Sequence, residues 1–194
     1  MKISLRHQYA VALLTCVLAG CATSRSVIDI PTPSVSNATQ QSIGKEVYIN
    51  PPRDGRVFEV APASPNIPSL YSSENSSDKI RARAIARKRN SFGKALGDIL
   101  LPEGKTVESL AAASIRQAFQ EKGYRVLDDK SKVSEGTYIV DTELTKFWSW
   151  MNPGFWAITL SAEISTALDI RSPSGTSRQT ISVKASDKDR KSVV

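Results

Sequence analysis

The feature that most limits the fold is a long alternation in the last third of the chain. Over residues 136–150, Tyr138, Val140, Leu144, Trp148 and Trp150 share one parity, and Asp141, Glu143 and Thr145 share the other. Residues 155–170 repeat the pattern with Trp156, Ile158, Leu160, Ala162, Ile164, Leu168 and Ile170, and residues 180–185 begin it again with Ile181, Val183 and Ala185. A period of two is the mark of a strand with one buried face. Asn152-Pro153-Gly154 and Pro173-Ser174-Gly175 are turn chemistry, so the three strands read as an antiparallel meander. The alternation expects all three tryptophans on one side, toward a helix, as core. Phe147, Met151 and Phe155 then lie on the opposite face or at the turn, where a partner or lipid contact is expected.

One helix is written as plainly, over residues 107–122. Val107, Leu110, Ala111, Ser114, Ile115, Ala118 and Phe119 recur at three- and four-residue spacing. Thr106 is placed to cap it, Glu108 sits in its positively polarised first turn, and Gly123 can end it in a left-handed conformation. Short strands are expected over residues 46–50, 56–60 and 124–127. Residues 61–77 carry Pro62, Pro65 and Pro68 and read as loop, and residues 92–104 read as irregular. The fold class expected is α+β: an antiparallel β-meander packed on one main α-helix, a two-layer sandwich, preceded by a disordered tether.

Charge is concentrated in one place. Residues 79–94 hold seven basic side chains and no acidic one, among them Arg81, Arg83, Arg87, Lys88 and Arg89. This basic insertion reads either as a short helix or as a solvated loop that orders on a partner. Anionic phospholipid headgroups or an acidic protein suit such a patch. Asp141, Glu143 and Glu163 sit on neighbouring strands, but outward acidic residues on a half-exposed sheet are ordinary, and no catalytic pair is assigned. Gly93, Gly97 and Gly104 do not have phosphate-loop spacing.

The start of the chain places it. Lys2 and Arg6 precede an apolar run from Tyr9 to Leu18, followed by small residues, which is the layout of a secretory signal peptide. The run falls short of the ~20 residues a bilayer-spanning helix needs. Leu18-Ala19-Gly20-Cys21 resembles the lipobox of bacterial lipoproteins. That resemblance implies cleavage before Cys21, acylation of its thiol and of the new amino terminus, and residues 1–20 as signal peptide. Ala22, rather than Asp, after the cysteine is the pattern associated with sorting to the outer membrane, facing the periplasm. Residues 21–45 then form the lipidated cysteine and a flexible tether spanning about 25 Å, residues 46–185 the domain, and residues 186–194 a charged tail. The sequence has two cysteines, Cys16 and Cys21, and one histidine, His7. The mature chain therefore offers no disulfide, no usual zinc site, and no Ser-His or Cys-His pair. No enzyme activity, metal or cofactor is expected.

The order of lipobox, polar tether, strand, helix and meander resembles the YajG-type envelope lipoproteins and, more loosely, the auxiliary lipoproteins of ABC-type envelope transport systems. Thr106-Val107-Glu108-Ser109-Leu110, the stretch from Gln117 to Tyr124 and the strand pair around Asn152–Gly154 carry the resemblance. It implies a second helix after the last strand, for which residues 186–194 offer no counterpart; the chain is then either a shortened member or an incomplete gene product, and the second would leave a sheet face bare. The function expected is that of a non-catalytic binding or accessory component of a cell-envelope assembly, held to the membrane by its lipid anchor and working with an envelope protein partner, not nucleic acid. The alternative is an auxiliary lipoprotein of an envelope lipid or solute transport system.

Overall fold

The computed structural model describes residues 25–34, 42–70, 77–90, 92–153, 157–175 and 180–192. In chain order these form β1 (Ser26–Val27), β2 (Glu46–Ile49), β3 (Arg53–Asp54), α1 (Asp78–Arg81), β4 (Ala84–Arg89), β5 (Ala95–Leu100), α2 (Val107–Glu121), β6 (Arg125–Leu127), a 3-10 turn (Lys130–Lys132), β7 (Tyr138–Pro153), β8 (Ala157–Arg171) and β9 (Thr180–Ser192).

The expected sandwich of an antiparallel meander on a helix is not the architecture. The strands make one mixed, nine-stranded sheet, curled into a half-barrel. Its spine is β7. One edge of β7 pairs antiparallel with β8 along nearly its whole length, and β8 pairs antiparallel with β9. The other edge is shared, in order, by β2, β3 and β4, all parallel to it. β6 adds parallel to β2, β5 antiparallel to β4, and β1 parallel to β5. The meander is thus one wing of the sheet, while α2 packs on β2, β3, β6 and β7. The alternation could reveal the wing. The parallel pairs join segments far apart in sequence, and no local period reports them.

Three further expectations change. The basic insertion is the four-residue α1 followed by an interior strand, β4, whose Ala84, Ile85 and Ala86 are buried. β5 forms where irregular chain was expected. The start of the tether is part of the sheet: β1 lies beside Ile99 and Leu100, the Ile28 amide donates to the Leu100 carbonyl at 2.9 Å, and Lys105 donates to the Ile30 carbonyl at 2.9 Å. In the same way β9 runs on through Ser192, where a charged tail was expected. β3 covers Arg53–Asp54, ahead of the expected strand over residues 56–60.

Helix α2 forms as its residues dictate. Thr106 and Ser109 cap each other's backbone amides at 3.2 and 3.0 Å. Gly123, at φ +81°, ends the helix. Phe119, Tyr124 and Tyr138 then stack edge to face, with centroids 5.2 and 5.8 Å apart, tying the helix end to the start of β7.

The core is double, and a bulge makes it so. Leu144 pairs with Thr166, but Lys146 pairs with Ser165, leaving Thr145 as an extra residue in β7. Its hydroxyl donates to the Ser165 carbonyl at 3.2 Å. One extra residue reverses which parity faces which side. Before the bulge Leu144 joins Ile85, Leu101, Val107, Leu110 and Ala111 beneath α2, and just after it Phe147 packs on the same cluster. Trp148 points the other way, into a second core with Leu70, Ala84 and Leu100, joined by Phe58, Ile80 and Trp150. Trp148 is core, as expected, but on the face away from the helix. A matching register shift in β4 pairs Ala84 with Leu100, in the second core, and Ala86 with Ile99, which packs on the first.

Candidate functional site

Among the described residues, the two cores leave one region of the sheet without a cover. β4 and β7 touch in register at Ala86 and Ser149. Past that pair they diverge, because β4 turns into its hairpin with β5 while β7 continues to Pro153 with β8. The gap is a groove of about 300 Å³, lined by Ala86, Ile99, Ser149, Met151, Leu160, Ser161 and Ala162, with Arg87 and Trp150 at its side. Leu160 lies opposite Met151, Ala162 opposite Ser149, and Ile164 opposite Phe147, so these residues share one face. Leu160 and Ile164 remain 44% and 42% exposed. A mostly apolar groove beside half-exposed aliphatic side chains can bind an apolar surface or chain; among the described residues its lining holds no carboxylate or imidazole.

Of the expected contact residues, Met151 lines this groove. Phe147 does not: the bulge turns it onto the helix-side core. Phe155 and Cys21 lie outside the described residues.

The basic residues do not act as one patch. Arg81 pairs with Asp78 in α1, and Arg83 donates to the Leu101 carbonyl at 2.9 Å with Glu103 at 3.8 Å. Arg87, Lys88 and Arg89 lie further along β4, toward its hairpin. Arg87 reaches the Ser69 hydroxyl at 3.3 Å, Lys88 the Ser26 hydroxyl at 3.2 Å, and Arg89 the Gly93 carbonyl at 2.8 Å. The Arg89 guanidinium is held below its ordinary pKa, chiefly by burial and then by the Arg87 charge; it remains a cation at neutral pH.

The carboxylates are dispersed into structural pairs. Asp141 accepts from Asn50 at 2.7 Å and Arg171 at 2.8 Å, Glu143 pairs with Arg53 at 2.9 Å, and Glu163 pairs with Lys146 at 2.6 Å.

A residue the sequence reading passed over holds this region together. The Arg56 side chain is fully buried and forms a bidentate pair with Asp54, both bonds at 2.8 Å. Its remaining donors reach the carbonyls of Arg81 and Ala84 at 2.6 Å and of Phe147 at 3.1 Å. One guanidinium thus joins β3, α1, β4 and β7. The Asp54-x-Arg56 spacing was visible, but nothing in it distinguishes a buried clamp from a surface pair.

No family model and no curated protein matches the chain. Among solved structures, protein XCC0632 from Xanthomonas campestris, of the family DUF330, aligns over 89% of this chain and 79% of its own, with 12% identity and a TM-score of 0.43. A likeness of that size assigns neither a fold family nor an activity.

Proposed function

We propose that this chain is a lipid-anchored envelope protein, akin to the YajG-type lipoproteins its motifs resemble, that works by binding as an accessory component of an envelope assembly. Cys21 carries the anchor, and the protein faces the periplasm from the outer membrane. The observation that supports binding is the uncovered groove, with Met151 and Leu160 opposite one another and Leu160 and Ile164 half exposed beside it. Apolar side chains left in water are unfavourable by ~25 cal/mol per Å², so a face of this kind gains from a partner.

The test is a photoreactive residue at Met151, crosslinked in cells, with mass spectrometry of the adducts. A recurring protein adduct supports the accessory reading and names the assembly. Lipid adducts alone would replace it with the transport reading, which the mostly apolar lining also suits. Cys21→Ser, expected to abolish acylation and release the protein from membranes, tests the anchor separately.

A further inference from the structure

We propose that the tip of the β4–β5 hairpin, where Phe92 and Lys94 project in front of Arg89 and Lys88, is the face this protein lays on an anionic phospholipid bilayer. The proposal rests on the anchoring reading of Cys21 and adds the orientation in which the domain is held.

Phe92 is 92% exposed, the most exposed of the large hydrophobic side chains described. Hydrogen bonds on both sides of it tie it to the hairpin. The Asn90 side chain accepts from the Phe92 and Lys94 amides at 3.0 and 2.9 Å, the Asn90 amide donates to the Lys94 carbonyl at 3.0 Å, and Gly93 takes φ +80° to close the turn. An aromatic ring whose backbone amide is already hydrogen-bonded loses less freedom when the ring enters a lipid interface. Lys94 is exposed beside it, and residues 84–97 contain no acidic side chain. Arg87 and Arg89 lie close enough for one charge to oppose the other. Asp98, buried and in register with Arg87, offsets part of that charge; the hairpin stays net positive, which a negative surface favours.

The position of the anchor selects the partner. β1 runs parallel to β5, with Ser26 beside Ile99. The chain preceding Ser26 therefore arrives from the hairpin end of the sheet. Cys21 lies five residues before Ser26, and Lys94 lies five residues before Ile99. With at most ~3.3–3.6 Å per residue, Cys21 cannot be more than about 14 Å from docked Arg25. A free tether of some 25 Å would have let the domain turn at random. The docked β1 removes most of that length and leaves the basic, aromatic tip on the lipid side. Because β4 and β7 are parallel, the groove and the β7–β8 turn lie toward that same end.

The experiment uses the full acylated protein in vesicles of phosphatidylethanolamine with phosphatidylglycerol. An environment-sensitive fluorophore is attached through Lys94→Cys and, as a control at the other end of β7, through Ser131→Cys. Acylation consumes Cys21, so each variant has one reactive thiol. A bilayer-borne quencher is expected to quench the probe at position 94 and to spare the one at 131. Adding Phe92→Ser, at a site too exposed to unfold the protein, should lower that quenching about fivefold or more, the size of effect that one interfacial side chain supplies. Replacing phosphatidylglycerol with phosphatidylcholine should also lower it. Equal, weak quenching at 94 and 131 in acylated protein, or quenching at 94 indifferent to Phe92→Ser, would overturn the tip and leave the anchor standing. An unmodified mass at Cys21 would sink the anchor and the tip proposal with it.

Discussion

Between Tyr138 and Leu144 the strand β7 turns its even-numbered side chains toward α2; beyond Thr145 it turns them away. In the first half, Val140 and Leu144 are fully buried, and Leu144 lies in the cluster beneath a helix prepared locally by its own caps and period. In the second half, Trp148 is buried to 2% by chain from elsewhere: Phe58 edge-on at 6.1 Å, the Pro65 carbonyl accepting its indole N–H at 3.1 Å, and Leu70. A segment rich in proline becomes the second cover. Among the described residues the helix face of that same half has no cover past Phe147, and there the groove opens. One strand thus meets a helix, a loop and open space in turn, and the switch between them is a single extra residue.

The largest effect should come from removing that residue. Deleting Thr145 restores an unbroken alternation and drives Phe147 and Trp148 to the wrong faces, so loss of a cooperative urea transition is expected. Thr145→Ala keeps the bulge, gives up one hydrogen bond, and should cost about 1 kcal/mol; a deletion no worse than this would refute the phase switch. Next come the two cores themselves. Trp148→Ala should cost about 3–5 kcal/mol and Leu144→Ala about 2–5 kcal/mol. As the two side chains belong to separate clusters, the double variant should be additive to within about 0.5 kcal/mol. Strong coupling in denaturant melts would mean one core, not two.

Arg56→Ala should cost about 3–5 kcal/mol, because it strands Asp54 and three carbonyls. Arg56→Lys should recover little, since an ammonium cannot reproduce the planar fork. Met151→Ser sits where nothing covers the sheet, and should change stability by less than about 1 kcal/mol. Its effect should appear instead in a lower crosslinking yield from a photoreactive residue at Leu160. The smallest effect concerns Asp129, far from both cores. The Ser131 amide, then the Ser131 side chain, holds its carboxyl below the ordinary range. A depressed carboxylate stabilises the fold above the unfolded value of about 3.9 and loses that contribution as pH falls through the folded value. The urea midpoint of Asp129→Asn should therefore lie slightly below the parent's near neutrality and converge with it in acid.

Much of the elements was legible and much of their arrangement was not. Helix α2 was legible because caps, period and stop agree over fifteen residues. The Lys79–Lys94 stretch was misread because its charges suggested water. In β4 those charges lie toward the end of a strand whose Ala84, Ile85 and Ala86 are interior, and alanine carries a weak hydrophobic signal. The site was half legible. Met151 was picked out as an outward residue and does line the groove. Phe147 was picked out for the same reason and is drawn into the core, because parity counted from Tyr138 fails past Thr145.

What the sequence by itself determined is local: the capped helix, the alternating strands and their turns, a chain with no histidine after His7, and a cysteine that follows Leu18-Ala19-Gly20. These depend on neighbours within a few residues, and a linear reading can weigh them. The parallel pairing of β2, β3 and β4 along β7, the bulge that splits the core, the clamp at Arg56 and the docking of β1 beside β5 were decided only in three dimensions. Each depends on which distant segment supplies the missing hydrogen-bond partner or apolar contact, and that choice is made by the whole sheet.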